Sequence, residues 1–398
     1  MTRRPRYARM RDATGASGQR PLKRDARVDA LRGIALIMIF IDHVPGNLLG
    51  LATLRNFGFS DAAELFVLLA GFSSMVAYGG SFDRDGLRAG LRRVLMRCMR
   101  LYVFQVILLL TVLVVAGWWL RRFGITPSGS GAPFVRSGLA GLKRGLALQA
   151  LPASLNILPL YIILLGLFPL VYGLIRLSPV VALAASFALW LAVNLDPSLN
   201  LTNWLDGNGW FFNPFAWQFL FVLGALGVLV MQQHDGNIPR PMWVRLACYG
   251  YLGFALVAVA PWVGWGLSDA RPIPIEMPDK TVLAPLRVLN IVAIAILALG
   301  SERFRELASS RALRFLVVCG RNSLEVFSLG TLLAMLCRLT FRTFGVTPLT
   351  QLLANGFGIG LMLALAYSLE HLRRSPATQR ARTIAHTRTK SLASTPGL

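Results

Sequence analysis

Residues 25–72 read DARVDALRGIALIMIFIDHVPGNLLGLATLRNFGFSDAAELFVLLAGF, and the rest of the chain is read outward from this stretch. An apolar helix carries Arg32 and His43, and the next apolar segment opens with Asp61 and Glu64. On one helix, Arg32 and His43 lie roughly 16 Å apart along the axis and, after three turns, on nearly the same face. Pro45-Gly46-Asn47 then kinks or ends the helix. About sixteen residues of straight helix reach only ~24 Å, short of a ~30 Å hydrocarbon core, so the broken outer end should line a cavity with His43 facing it.

Composition sets the environment. Of 398 residues, 55% are hydrophobic and 15% charged, and uncharged runs such as Leu101–Leu120 are long enough to cross a bilayer. The chain therefore reads as an all-α integral membrane protein. After the first span, which starts near Val28, further spans are expected at 61–79, 101–120, 155–175, 179–195, 211–231, 244–267, 282–300, 322–339 and 349–369. That makes about ten transmembrane helices in one bundle over residues 25–372, between basic tails at 1–24 and 373–398. The runs are continuous and do not alternate at period two, which excludes a barrel.

A formal charge of +23 would suggest nucleic acid in a soluble protein. Here the basic residues gather at segment ends. Arg84, Arg88, Arg92, Arg93, Arg97, Arg100, Arg240, Arg245, Arg303, Arg305, Arg311 and Arg314 fall on one side with both tails, whereas the loop 196–210 holds no Lys or Arg. The positive-inside rule makes the first side, and both termini, cytoplasmic. No basic patch with interleaved aromatics is present, so no nucleic-acid partner is expected. The third loop, with Arg121, Arg122, Arg136, Lys143 and Arg144, is the exception, and its Gly/Pro/Ser-rich portion ITPSGSGAP reads as flexible. Cys98, Cys248, Cys319 and Cys337 lack zinc or disulfide spacing, and no metal is expected.

Ionisable residues inside spans are functional candidates because burying them is costly. His43 is the only one of the four histidines within a span. Asp42 adjoins it but points about 100° away. Glu64, a turn into the second span, is the better partner for the imidazole; Asp61, at that helix start, is a cap or a site residue. Arg97 and Arg100, three apart in RRVLMRCMRLY, form a phosphate clamp or a positive-inside anchor. Arg287 lies in an apolar stretch, and Arg321 with Glu325 has the spacing of an i,i+4 pair. There is no GxSxG elbow, Walker loop, HExxH or Rossmann glycine set.

The segment VDALRGIALIMIFIDH resembles the first span of the acyltransferase-3 superfamily of membrane acyltransferases, in which ten residues separate an Arg from a His. ELFVLLAGF and Arg97-Cys98-Met99-Arg100 are similar to its next two elements. Within that superfamily, MIFIDHVPGN, TLRNFGFSDAAELFV, ILPLYI, NPFAWQFLFVLG, DKTVLAPLRVLN and GRNSLEVF resemble blocks of the OpgC family, in order and over most of the chain. The resemblance implies a multi-pass protein of the bacterial inner (cytoplasmic) membrane that transfers succinyl groups onto osmoregulated periplasmic glucans. It implies an acyl-CoA donor as cosubstrate, a glucan acceptor, the lipid bilayer as surroundings and no bound cofactor. His43, Glu64 and Asp42 become candidate catalytic residues, and Arg32, Arg97, Arg100, Asn56 and Asp61 candidate substrate-binding ones. The rival class is a proton-coupled transporter or exporter of an acyl donor or lipid-linked sugar, with Asp42, His43 and Glu64 as its relay.

Overall fold

The computed structural model describes residues 24–125, 131–152 and 155–374. The expectations for the basic stretches before Arg24 and beyond Arg374, and for residues 126–130, lie outside the described residues. Among the described residues the chain is helical, with no strand beyond an isolated Thr202–Gly209 bridge.

Helix α1 (Ala26–His43) is capped by Asp25, whose side chain accepts from the Arg27 N–H, and ends beside Pro45 as the sequence requires. Val44 is extended, Gly46 takes φ 60°, and two short 3-10 turns, Leu48–Ala52 and Leu54–Asn56, carry the chain back toward the bundle. Helix α2 (Ala62–Ser74) continues through a wider π turn at Met75–Gly79 into α3 (Gly80–Phe123), which bends at Gly86 where φ is 81°. Two short helices follow, α4 (Gly131–Arg136) and α5 (Gly138–Leu146). The main apolar helices are α6 (Ile157–Leu177), α7 (Pro179–Leu195), α8 (Pro214–Gln233), α9 (Met242–Val259), α10 (Pro285–Leu299), α13 (Ser323–Phe344) and α14 (Pro348–Arg374). Short α11 (Glu302–Ser309) and α12 (Arg314–Arg321) stand between α10 and α13.

Each of the ten apolar segments read from the sequence overlaps a helix. By length and composition six helices can cross a membrane, and a seventh if α10 and α11, bent by 73°, form one span. The difference from ten has simple causes. Residues 62–123 count once although non-helical Gly86 breaks them into two helices with length enough for two spans, α7 has only 17 residues, and α1 carries Arg27, Asp29, Arg32 and Asp42. Two loop readings are refined. The connection between the second and third expected spans is a sharp break at Gly86, and the basic residues after it, 87–100, are helical, because Arg, Leu and Met are good helix formers and charge bias reports the side of the membrane without specifying conformation. The third loop folds into α4 and α5 where it is described, with Phe134 fully buried.

The core forms where helices approach closely. Helix α1 packs between α12, α13 and α2, with Ala30, Ala35, Leu36 and Phe40 buried. A Cβ on Gly33 would strike the Leu316 carbonyl, and one on Gly320 the Asp29 carbonyl, so both sides of the α1–α12 crossing need glycine. The α2–α8 crossing repeats the device, Gly71 lying against Phe221 and Gly224 against Leu68. Lipid removes the hydrophobic advantage of helix association, so contact must come from such close packing. Gly224→Val is expected to destabilise the bundle by ~1–3 kcal/mol, read as a lower unfolding midpoint in detergent; an unchanged midpoint would refute the tight crossing.

Candidate active site

At the N-terminal end of α1, charged groups pair across helices. Asp29 receives Arg24 at 2.7 Å and Arg321 at 3.4 Å, and Arg321 also reaches Glu370 at 3.4 Å. Glu325 receives Arg100 at 2.5 Å and Arg373 at 3.7 Å. The expected Arg321–Glu325 pair is therefore replaced by bonds to other helices, since each side chain finds an opposite charge across the bundle. Arg100 is held by Glu325 and lies over Phe104, which changes its reading as one half of a phosphate clamp. Arg97, on the same helix, has no ion pair or hydrogen bond among the described residues. Arg32 donates to the Leu69 carbonyl at 3.3 Å, while its Nε is buried with no partner. Arg27, which sequence reasoning missed, is fully buried and bonded to Asp25 and to the Gly236 and Leu299 carbonyls.

Beyond this layer the Phe327 ring stacks on Phe66 with centroids 6.2 Å apart, and Tyr161 packs edge-on to Phe66. Toward the C-terminal end of α1 lies a cavity of about 310 Å³. Its walls include Leu36, Ile39, Phe40 and His43 of α1, and Phe327, Gly330, Thr331, Ala334 and Arg338 of α13. Asp42, Arg55, Asp61 and Lys280 complete its ionisable lining.

His43 Nδ1 lies 2.7 Å from the Ile39 carbonyl, one turn back on its own helix. A carbonyl oxygen only accepts, so Nδ1 carries a proton, and in the neutral ring Nε2 keeps its lone pair. Nε2 has no protein partner among the described residues. The turn after α1 is tied down by Asp42, which accepts from Thr53 at 2.6 Å and pairs with Arg55 at 3.2 Å. Asp42 thus braces the broken helix end and makes no bond to the imidazole. Asn56 also serves the turn, donating to the Gly50 carbonyl, and is not part of the cavity wall.

The reading of Glu64 as the group that orients His43 is corrected. Asp61 is the N-cap of α2, accepting from the Ala63 N–H at 2.8 Å, and Glu64 returns the bond by accepting from the Asp61 N–H at 3.0 Å. This is a capping box. The other Glu64 oxygen receives Arg287, whose Nε donates to the Pro278 carbonyl at 2.9 Å. Both Glu64 oxygens are engaged away from the cavity, so the three-residue proton relay has no third member there. Asp61 is a cap and also a wall residue, its second oxygen paired with Lys280. Lys280 is placed in turn by Phe211 and Phe212, 5.8 and 5.5 Å from its ammonium, and by Trp217, which donates to its carbonyl at 3.0 Å. Sequence reasoning missed Arg55, Lys280 and Arg338. Arg338 alone carried a usable signal, a cation inside the apolar run 322–339.

Fold and cavity define a multi-pass helical membrane protein with a polar site sunk between its helices. A family model described as OpgC protein matches residues 24–374, and the chain belongs to that family. Membership implies a membrane transferase acting on acyl groups in glucan modification. No curated protein and no solved structure matches the chain.

Proposed function

We propose that this chain is an inner-membrane O-acyltransferase that moves an acyl group, succinyl by the family's chemistry, from cytoplasmic acyl-CoA to a hydroxyl of a periplasmic glucan. About ten spans with both termini cytoplasmic belong to the same proposal, as does kinship with the acyltransferase-3 superfamily. The observation that carries it is His43, whose Nδ1 is committed to Ile39 and whose Nε2 is left to a cavity large enough for an acyl chain and a sugar hydroxyl.

The step balances on this residue alone. Nε2 takes the proton of a glucosyl hydroxyl as its oxygen attacks the thioester carbonyl, and a C–O bond forms. The tetrahedral intermediate collapses, the C–S bond breaks, and the imidazolium returns the proton to the leaving thiolate. At the inner end, Arg32 and Arg97 are the cations free to meet donor phosphates. Arg97→Gln is expected to raise KM for acyl-CoA about tenfold or more, the scale of one charge-assisted hydrogen bond, with Arg100→Gln changing it less because Glu325 already holds that side chain. Equal KM values for wild type and Arg97→Gln would remove Arg97 from the donor site. The proposal as a whole is tested by mass spectrometry of periplasmic glucans from cells with and without the gene. Loss of the acyl substituent on deletion supports it; identical glucans contradict it.

A further inference from the structure

Helix α6 meets the cavity with its first turn open. Asn156, directly before the helix, and Ile157, its first residue, both line the cavity that holds His43. Asparagine is among the strongest helix caps, because its side-chain oxygen accepts from the free N–H groups of the first turn. Asn213 does this for α8 from an extended backbone, accepting from the Phe215 N–H at 3.0 Å. Asn156 does not: its backbone is already helical, with φ −83° and ψ −26°, and its side chain makes no bond to its own helix. Pro159 has no N–H, the first turn holds no acidic residue, and the Ile157 and Leu158 N–H groups have no partner among the described residues. The positive end of the α6 dipole is therefore left uncompensated at the cavity.

The Asn156 side chain points the same way independently. The residue is 6% exposed, and its Oδ1 is buried with no hydrogen-bond partner. A buried amide oxygen without a donor costs stability, and a capping bond would have removed that cost. Nδ2 has no protein partner either among the described residues, yet it is not sealed in, so the open part of this side chain is a donor on the cavity wall. The cations of the same wall are otherwise engaged: Arg55 pairs with Asp42, Lys280 with Asp61, and Arg338 reaches the His43 backbone carbonyl at 3.4 Å. The start of α6 thus brings uncharged donors, a side-chain amide and two backbone N–H groups, to the wall of the space that His43 faces.

We propose that Asn156, with the first N–H groups of α6 behind it, forms the oxyanion hole for acyl transfer at His43. As the glucosyl oxygen attacks, the carbonyl π pair moves onto the thioester oxygen and the hydroxyl proton passes to Nε2. The Asn156 Nδ2–H donates to that oxyanion. When the C=O bond re-forms, the C–S bond breaks and the imidazolium returns its proton to the thiolate, so Asn156 ends as it began. Donors fixed before charge develops need no rearrangement at the moment of reaction, and they act on rate more than on binding. This inference rests on His43 acting as the base in this cavity and adds a second catalytic group to it.

The test measures kcat and KM for wild type and Asn156→Ala with succinyl-CoA and glucan, on purified full-length protein in detergent. kcat should fall about 10²–10³-fold, the usual effect of losing one oxyanion donor, with both KM values held within about twofold. Asn156→Asp, which keeps the shape and loses the Nδ2 donor, should fall at least as far. The readout that a purely structural asparagine would not move is the dithioester analogue of the donor, whose carbonyl oxygen is replaced by sulfur, a weak acceptor. The ratio of oxygen-donor to sulfur-donor rates should be largest in wild type and drop by about tenfold or more in both variants, the scale of a hydrogen bond to a charged group. An unchanged kcat, a raised glucan KM at constant kcat, or one ratio shared by all three proteins overturns the proposal. If Asn156→Ala does not fold, the ratio in Asn156→Asp decides. Failure of the underlying reading looks different: His43→Gln would then transfer at the wild-type rate, whereas an inactive His43→Gln beside a fully active Asn156→Ala refutes the oxyanion hole alone.

Discussion

His43→Ala is expected to lower acyl transfer by about 10²–10⁴-fold, the contribution of a positioned general base, while the protein stays folded and in the membrane. The structural cost is small because, among the described residues, the one side-chain bond of His43 is to Ile39 on its own helix, and the ring faces a cavity. The helix does not depend on it, since α1 is capped at Asp25 and packed by Leu36 and Phe40. His43→Gln sharpens the comparison, because it keeps a polar group at the site and removes the base. Transfer rates and the unfolding midpoint, measured on the same preparations, separate chemistry from folding. A variant that is inactive only because it fails to fold would argue for a structural histidine.

The largest effect on stability is expected at the opposite kind of residue. Glu64 and Arg287 form an ion pair whose side chains are 0% and 8% exposed. Removing one partner leaves a buried charge uncompensated, at a cost of ~3–5 kcal/mol. Glu64→Ala also removes the reciprocal cap of α2 and loosens Asp61, which carries the Lys280 pair on the cavity wall. The double replacement Glu64→Leu with Arg287→Met should recover much of the loss, because no unpaired charge remains. Unfolding midpoints of the two single variants and the double give the answer. A Glu64→Ala protein of normal stability and no activity would return Glu64 to the chemistry.

How far these roles were legible in the sequence follows from how local each one is. Arg32 and His43 are related by helix geometry alone, and the break at Pro45 follows from the missing N–H, so that segment reads correctly from residue types. The capping box was within reach: Ser60 is three residues from neither partner, but Asp61 to Glu64 has the spacing, and once Asp61 is the cap, Glu64 is its reciprocal. The partner of Glu64 was beyond reach, because Arg287 lies 223 positions away and is brought in by α10 packing on α2. Arg100 met Glu325 across 225 positions for the same reason. The cavity wall is assembled likewise from α1, the turn at Arg55, the start of α2, the segment at Lys280 and α13, so its charge balance exists only in three dimensions.

In the proposed reaction an acyl group crosses through this bundle from a donor on one face to an acceptor on the other. The most direct measurement uses proteoliposomes with isotopically labelled succinyl-CoA on the side of the protein termini and glucan on the other. Transfer through the bundle leaves label on the glucan and free CoA in equal amount, retained with the donor, and neither product with His43→Gln. Intact succinyl-CoA arriving beside unlabelled glucan would contradict it and make the protein a transporter.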